Sequence, residues 1–233
     1  IFGKGESQVE YTIKDIVDAQ SNPTIAPYAK AAETTLRITA RCGSEEEGEK
    51  LIQPVMQAIE DRVGEFIYST HGREMHEVCA ELLKASGLKL AVAESCTGGL
   101  FAALITNVSG ASEVLNESFV TYANSAKMKY LGVKGETLEK HGAVSYETAF
   151  EMAEGLRKNT GADVTVGITG IAGPTGGTKE KPVGLVYVGI CVMGETEVKE
   201  LHLNGTREEV RECTCKITFE NIANRIENIT KVQ

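Results

Sequence analysis

Strand-like and helix-like patterns of apolar residues alternate along the chain from about residue 74 to its end. Continuous apolar runs and two-residue alternation predict strands at residues 89–94, 117–122, 163–169, 185–192 and 197–203. Helical spacing of apolar residues predicts helices at residues 75–83, 100–107, 125–131, 146–160 and 208–229. Strands that alternate with helices are typical of a three-layer α/β/α sandwich with a mostly parallel sheet.

The first 70 residues follow a different pattern, which predicts a small α+β domain. In chain order this pattern gives a strand at residues 1–3, a helix bearing Val9, Ile13, Ile16 and Val17, an extended segment ending at residues 35–41, a helix starting at Ser44, and a strand at residues 65–69. The predicted order is therefore β-α-β-α-β. Residues 71–73 read as a linker, so the two predicted domains are residues 1–70 and 74–233.

One stretch stands out, because an apolar strand runs directly into Ser95, Gly98 and Gly99 before a helical pattern begins. A strand that breaks at a serine and restarts as a helix holds the hydroxyl at the edge of a sheet, beside backbone N–H groups. Such a place suits a nucleophile or an anion. A glycine-rich turn that only permits tight packing is the alternative interpretation.

Composition and charge exclude several classes of protein. With 233 residues, 42% hydrophobic and 24% charged, the chain has an ordinary globular composition, and no apolar run approaches the roughly 18–20 residues that span a bilayer. The net charge is −9 and no basic run is present, which argues against a nucleic-acid or membrane partner. Because the chain begins at Ile1 rather than Met, we expect it to be a piece of a longer protein.

The cysteines and histidines show no metal-binding or disulfide pattern. Six cysteines contain no C-x-x-C pair, which favours reduced thiols and a cytoplasmic protein. Four histidines show no ligand spacing beyond His71 and His76, so no metal site is expected.

Small and polar residues follow three of the predicted strands, at positions 95–99, 122–127 and 169–177. Because active groups gather outside the carboxyl ends of parallel strands, these loops predict one site. Ser95 is the candidate nucleophile, and a serine hydroxyl needs a base to activate it. Because no histidine falls on these loops, the candidate base is a desolvated Lys127. Tyr122 would relay the proton or orient the pair. A solvated Lys127 and a half-buried Tyr122 without chemical roles are the alternatives.

Backbone and side-chain groups in the same loops are candidates for binding. The N–H groups of Cys96, Thr97 and Gly98 lie at a predicted helix start, where they could stabilise a tetrahedral oxyanion. The loop that begins at Thr169 is small enough for a ligand to approach the backbone. Arg207 either clamps a phosphate or is a surface charge.

Five motifs carry a resemblance to a known family: AESCTGG (residues 93–99), YANSAK (122–127), HGAVS (141–145), TGIAGP (169–174) and KPVG (181–184). In this order they closely resemble the C-terminal domain of the CinA family, which is similar to the stand-alone nicotinamide-nucleotide amidase PncC. Residues 1–69 resemble the KH-type segment that precedes this domain in longer CinA proteins.

The resemblance implies an amidase that converts nicotinamide mononucleotide to nicotinic acid mononucleotide and ammonia, without a metal or organic cofactor. It assigns Ser95 as the nucleophile that attacks the carboxamide carbon, with Lys127 and Tyr122 as its activating partners. Thr97 and Gly98 would lie at the oxyanion. The remaining substrate-binding assignments are Cys96, Asn124, Thr169, Gly170 and, for the substrate phosphate, Arg207.

The KH-like segment does not carry the features of an RNA-binding domain. KH domains clamp nucleotides with a GXXG loop, which residues 1–69 lack, and this segment has 7 basic and 12 acidic residues. We therefore expect a structural or oligomerising role and a homo-oligomer. The alternative to an enzyme is a nucleotide-binding or oligomerisation module of a larger protein that hydrolyses nothing.

Overall fold

The computed structural model describes residues 1–30 and 32–232, with side chains up to residue 229. It divides into two compact units, Ile1–Glu74 and Met75–Gln233.

The first unit is a small α+β structure built on a β-hairpin. Its elements are α1 (Glu6–Thr12), α2 (Lys14–Asp18), β1 (Thr24–Lys30), β2 (Glu33–Thr39) and α3 (Glu45–Val63). Ser44 caps α3 as predicted, because its hydroxyl accepts the Glu47 N–H at 3.3 Å. Apolar side chains of the helices and the hairpin form the core: Val9, Ile13, Ile25, Ile59 and Val63.

The predicted β-α-β-α-β order of this unit is wrong. β1 and β2 pair with each other as an antiparallel hairpin, so strand pairing is satisfied locally. The run predicted as a strand at residues 65–69 instead begins with a short 3-10 turn, Gly64–Phe66, that continues directly from α3. At the predicted first strand, Phe2 forms an isolated bridge to Glu33 and donates its N–H to the Phe66 carbonyl at 2.8 Å. Single contacts of this kind do not build a strand ladder.

The second unit contains the predicted α/β sandwich. Its elements are α4 (Met75–Ala85), β3 (Leu90–Glu94), α5 (Leu100–Thr106), β4 (Leu115–Val120), α6 (Asn124–Leu131), α7 (Gly135–His141), α8 (Tyr146–Thr160), β5 (Val164–Gly170), β6 (Leu185–Val192), β7 (Glu195–His202) and α9 (Arg207–Val232). Helix α7 was not predicted from the sequence. The prediction of strands alternating with helices is otherwise confirmed.

The five strands form one mixed sheet in the order β4-β3-β5-β6-β7. β4, β3 and β5 are parallel neighbours, whereas β6 runs antiparallel to both β5 and β7. Four strands therefore share one direction. β6 and β7 are joined by a two-residue turn, Met193 and Gly194, in which both residues have positive φ, as a tight hairpin requires.

Helices cover both faces of the sheet. α8 packs across β3, β5, β6 and β7 and also contacts α6. α5 contacts β3 and β4, and α9 contacts β6. α4 packs against α5 and α9. On the α8 side, Gly167 and Gly189 are cross-strand partners, and a Cβ on either would overlap the backbone of α8. The helix can therefore approach the sheet closely. Within the described part of the chain, no helix is both long enough and apolar enough to cross a membrane.

We expect Gly155→Ala to destabilise the second unit, because α8 crosses the end of α6 at this glycine. A Cβ at Gly155 would overlap the carbonyl oxygen of Leu131, and a backbone atom cannot move aside without shifting a helix. The expected loss is about 1–3 kcal/mol in the free energy of unfolding, measured by urea denaturation. Gly135→Ala is the matched control, since the nearest atom to its Cβ would be Met128 Cε at 3.6 Å. Equal stability of the two variants would contradict the packing argument.

Candidate active site

Three loops meet at the edge of the sheet where β3, β4 and β5 end. The Ser95 N–H, just beyond β3, donates to the Ile168 carbonyl of β5 at 3.0 Å. The Thr121 N–H, just beyond β4, donates to the Glu94 carbonyl of β3 at 2.8 Å. The parallel pairing thus continues past the strand ends and places the three loops side by side, as the sequence predicted.

Ser95 and Lys127 form a buried hydrogen-bonded pair at this edge. Lys127 reaches back from α6, and its Nζ lies 3.0 Å from Ser95 Oγ. It also donates to the backbone carbonyls of Thr121 at 2.8 Å and Tyr122 at 3.3 Å. The Lys127 side chain is buried, with 1% of its surface exposed, and Ser95 is 9% exposed. The solvated alternative for Lys127 is therefore excluded.

The surroundings of Lys127 lower the pKa of its amine. Burial lowers the pKa of Lys127 below its ordinary value, because desolvation disfavours the ammonium. The Thr121 and Tyr122 carbonyls can accept the two hydrogens of a neutral amine, which leaves its lone pair for the Ser95 hydroxyl. A neutral amine beside a serine hydroxyl can accept its proton, which is the arrangement that activates a serine nucleophile.

Tyr122 contacts this pair through its backbone, not through its phenol. Tyr122 is 62% exposed, and its phenol oxygen accepts a hydrogen bond from Arg207 Nη2 at 3.3 Å. Arg207 also donates from Nη1 to the Gly173 carbonyl at 2.8 Å. The structure therefore groups the Tyr122 phenol with Arg207 at the rim of the site. The sequence had instead predicted that the phenol lies beside Ser95 and Lys127.

Glu94 occupies the N-terminus of α5, which limits the donors available to an oxyanion. Its carboxylate is fully buried and accepts the N–H groups of Gly99, Phe101 and Ala102 at 3.0–3.1 Å. An anion at a helix N-terminus satisfies these donors. The helix start itself therefore does not supply the free N–H groups that the sequence pattern suggested.

The turn after Ser95 retains two of the three N–H groups that were predicted as oxyanion donors. The Gly98 N–H donates to the Ser95 carbonyl at 3.1 Å, so the prediction of Gly98 as a free oxyanion donor is corrected. Among the residues that the structure describes, no oxygen atom accepts the N–H groups of Cys96 or Thr97. Both groups lie near the Cys96 sulfur, and they remain the candidates for an oxyanion site.

Cys96 is next to Ser95 but does not compete with it as a nucleophile. Burial raises the pKa of the Cys96 thiol to about 11, and its own N–H and that of Thr97 offset this only in part. The thiol is therefore protonated at neutral pH and weakly nucleophilic.

The remaining predicted residues lie around the same edge, and their contacts differ. The Thr169 hydroxyl is buried and donates to the Ala143 carbonyl at 2.6 Å, so it fixes a neighbouring loop. Gly170 pairs with Val186, and a Cβ there would overlap β6, which gives this glycine a packing role. Asn124 begins α6 with an exposed side chain.

Three polar residues with clear roles at this edge were not assigned from the sequence. Glu94 had a signal, since an acidic residue ends an otherwise apolar strand. Lys181 belongs to the KPVG motif and donates to the carbonyls of His141 and Val144, both at 2.6 Å, which ties two motifs together. Arg211 donates to the Thr97 carbonyl from Nε at 3.2 Å and Nη2 at 2.7 Å; nothing in the helical pattern distinguishes it from a surface arginine.

A metal site is not evident in the described residues, where no three His, Cys, Asp or Glu side chains are grouped to hold an ion.

Comparison with family models matches both units of the chain. Residues 72–226 match the CinA C-terminal domain, and residues 1–69 match the KH domain of damage-inducible protein CinA. The chain belongs to the CinA family.

Relatives with similar sequences are named CinA-like or competence-damage inducible proteins. A CinA-like protein of Kosmotoga olearia is 53% identical over 211 residues, covering 91% of this chain and 51% of the relative. A protein of Clostridium novyi, named as competence-damage inducible, is 53% identical over 214 residues, covering 92% of this chain and 52% of the relative. The chain thus spans about half the length of these curated CinA relatives.

Two solved structures share a fold with about two thirds of the chain. A CinA superfamily protein of Klebsiella pneumoniae has a TM-score of 0.64 at 31% identity, covering 66% of this chain and 96% of that chain. A competence/damage-inducible protein of Agrobacterium tumefaciens has a TM-score of 0.61 at 39% identity, covering 66% of this chain and 97% of that chain.

Proposed function

We propose that the chain hydrolyses the carboxamide of nicotinamide mononucleotide, giving nicotinic acid mononucleotide and ammonia. The observation that carries this proposal is the 3.0 Å contact between Lys127 Nζ and Ser95 Oγ, in a buried place that lowers the pKa of the amine. A binding module has no need for a serine and a buried lysine in this arrangement. The CinA motifs around the pair supply the substrate class.

In the proposed reaction, Lys127 takes the proton of Ser95 while Oγ attacks the carboxamide carbon. The oxygen of the tetrahedral intermediate would be stabilised by the N–H groups of Cys96 and Thr97. Lys127 then returns the proton to the leaving nitrogen, and ammonia departs. A water molecule, deprotonated by the same amine, attacks the acyl carbon. The bond between the acyl carbon and Oγ then breaks, Lys127 returns the proton to Ser95 Oγ, and the carboxylate product leaves.

The rim residues suggest how the nucleotide part of the substrate is held. Arg207 is exposed, and its two hydrogen-bond acceptors, the Gly173 carbonyl and the Tyr122 phenol, carry no charge. A phosphate arriving there would meet a guanidinium that is not already neutralised by these contacts. The exposed ring of Tyr122 lies beside the same position and offers a surface for the substrate.

The direct test is the release of ammonia from nicotinamide mononucleotide by the purified chain. We expect turnover of the mononucleotide and a markedly higher KM for nicotinamide riboside, which has the same carboxamide but no phosphate. The Ser95→Ala variant, purified identically, excludes a contaminating amidase. Absence of ammonia with the mononucleotide would overturn the proposal. Equal KM values for the two substrates would contradict the proposal that Arg207 binds the substrate phosphate.

A further inference from the structure

The turn that carries Ser95 is held from outside by one side chain of α9. Within the turn, the Gly98 N–H donates a hydrogen bond to the Ser95 carbonyl at 3.1 Å. The Thr97 carbonyl, one residue before Gly98, is the acceptor of both donors from Arg211, at 3.2 and 2.7 Å. The guanidinium also lies beside Gly98, with Nη2 3.8 Å from the position a Cβ would take there. Arg211 thus fixes the peptide that completes the turn.

The helix that bears Arg211 is itself firmly packed. Val210 and Cys215, on either side of Arg211 in α9, are buried with 1% and 0% of their surface exposed. Further along, Phe219 stacks on Phe101 of α5, with ring centroids 4.1 Å apart. Because α9 is anchored in the core, the guanidinium connects the turn to a rigid element.

We propose that Arg211 is a positioning residue for Ser95, an inference that rests on the proposed amidase function. It contacts the turn at Thr97 and holds Ser95 Oγ where it meets Lys127 Nζ at 3.0 Å. If the turn relaxes by about 1 Å, the proton transfer and the attack on the substrate are both misaligned, which costs on the order of 10²-fold in rate. Binding of the substrate at the rim does not depend on this contact.

Arg225 provides a matched control, because it lies on the same helix and makes the same type of contact. It donates to the carbonyls of Ile190 and Glu195, both at 2.8 Å, and takes no part in the Ser95 turn. We expect Arg211→Met to lower kcat for ammonia release roughly 10- to 100-fold with KM changed less than about threefold. Arg225→Met likewise removes two hydrogen bonds to backbone carbonyls and should retain kcat.

A serine-directed fluorophosphonate measures the same property without the substrate. The probe forms a bond between phosphorus and Ser95 Oγ, fluoride leaves, and the serine proton passes to Lys127. We expect Arg211→Met to slow this labelling by a factor similar to its loss in kcat. Arg211→Lys, which keeps one charged donor but not the fork, should lie between Arg211→Met and the unsubstituted chain.

The outcomes separate this inference from the proposed function. If the unsubstituted chain is labelled at Ser95 but releases no ammonia from the mononucleotide, the proposed substrate is wrong and the labelling rates alone decide the role of Arg211. Labelling of Arg211→Met as fast as Arg225→Met would overturn the positioning role, as would a chain whose Ser95 is not labelled at all. If Arg211→Met does not fold, an Arg211→Lys variant with full kcat and full labelling rate would overturn it equally.

Discussion

Ser95→Ala is expected to reduce kcat for ammonia release by roughly 10⁴-fold or more, because it removes the atom that forms the acyl-enzyme. The neighbouring Cys96 cannot take over, since burial raises the pKa of its thiol to about 11. The fold should be retained, because the side chain loses one oxygen and the Ser95 backbone contacts remain. The rate is measured by ammonia release, and trapping of the acyl-enzyme by mass spectrometry shows whether Ser95 is the modified residue.

Ser118→Ala is the control for this substitution. Ser118 is exposed on the neighbouring strand β4, so its removal should leave kcat unchanged. Undiminished turnover by Ser95→Ala would exclude a covalent mechanism at this residue.

Lys127→Met should reduce kcat by roughly 10²- to 10⁴-fold, since it removes the proton acceptor while keeping a similar volume in the core. In the unsubstituted chain, kcat/KM should rise with pH as Lys127 loses its proton. Because burial lowers the pKa of Lys127, this rise should be centred below 10.5, the ordinary value for lysine. In Lys127→Met the rise should be absent.

The same pKa shift predicts how stability changes with pH. Between the lowered pKa of Lys127 in the folded chain and 10.5, the unfolded chain binds more protons than the folded chain. The contribution of Lys127 to the free energy of unfolding therefore increases with pH across this window and is level on either side. Urea denaturation at several pH values should show this increase in the unsubstituted chain and not in Lys127→Met.

Lys129→Met is the control for both measurements, because Lys129 is an exposed lysine on the same helix, near the ring of Tyr130. Its variant should keep the rate and both pH profiles. If Lys127→Met retained the rate and its pH dependence, another group would have to be the base.

The helices and strands of the second unit could be predicted because the burial of each element leaves a pattern of apolar residues along its own sequence. β3 and β5 are buried along almost their whole length, so β3 is apolar up to Glu94 and β5 combines Val and Ile with small Thr and Gly residues. The direction of β6 was not predicted, although residues 171–184 contain no helix to carry a parallel crossover. In the first unit, the run at residues 65–69 has strand-forming residues, but β1 and β2 pair with each other and leave it outside the ladder.

The candidate site could be predicted only in part. Ser95 and Lys127 were expected to meet because the loops after parallel strands lie at one edge of a sheet, and the structure brings them together. The direction of the Tyr122 phenol and the use of the Gly98 N–H were predicted incorrectly. Both depend on turn geometry and on neighbours that are distant in sequence, such as Arg207.

The α/β architecture of the second unit, the strand ends that carry polar loops and the CinA motifs could be predicted from the sequence alone, because each depends on local periodicity or residue identity. The lowered pKa of Lys127, the capping of α5 by Glu94 and the contact of Arg211 with the Ser95 turn became visible only in the folded chain. The physical reason is that desolvation and hydrogen bonding depend on which distant side chains surround a group. A linear pattern shows that a residue is polar, whereas its chemical role follows from the atoms packed around it.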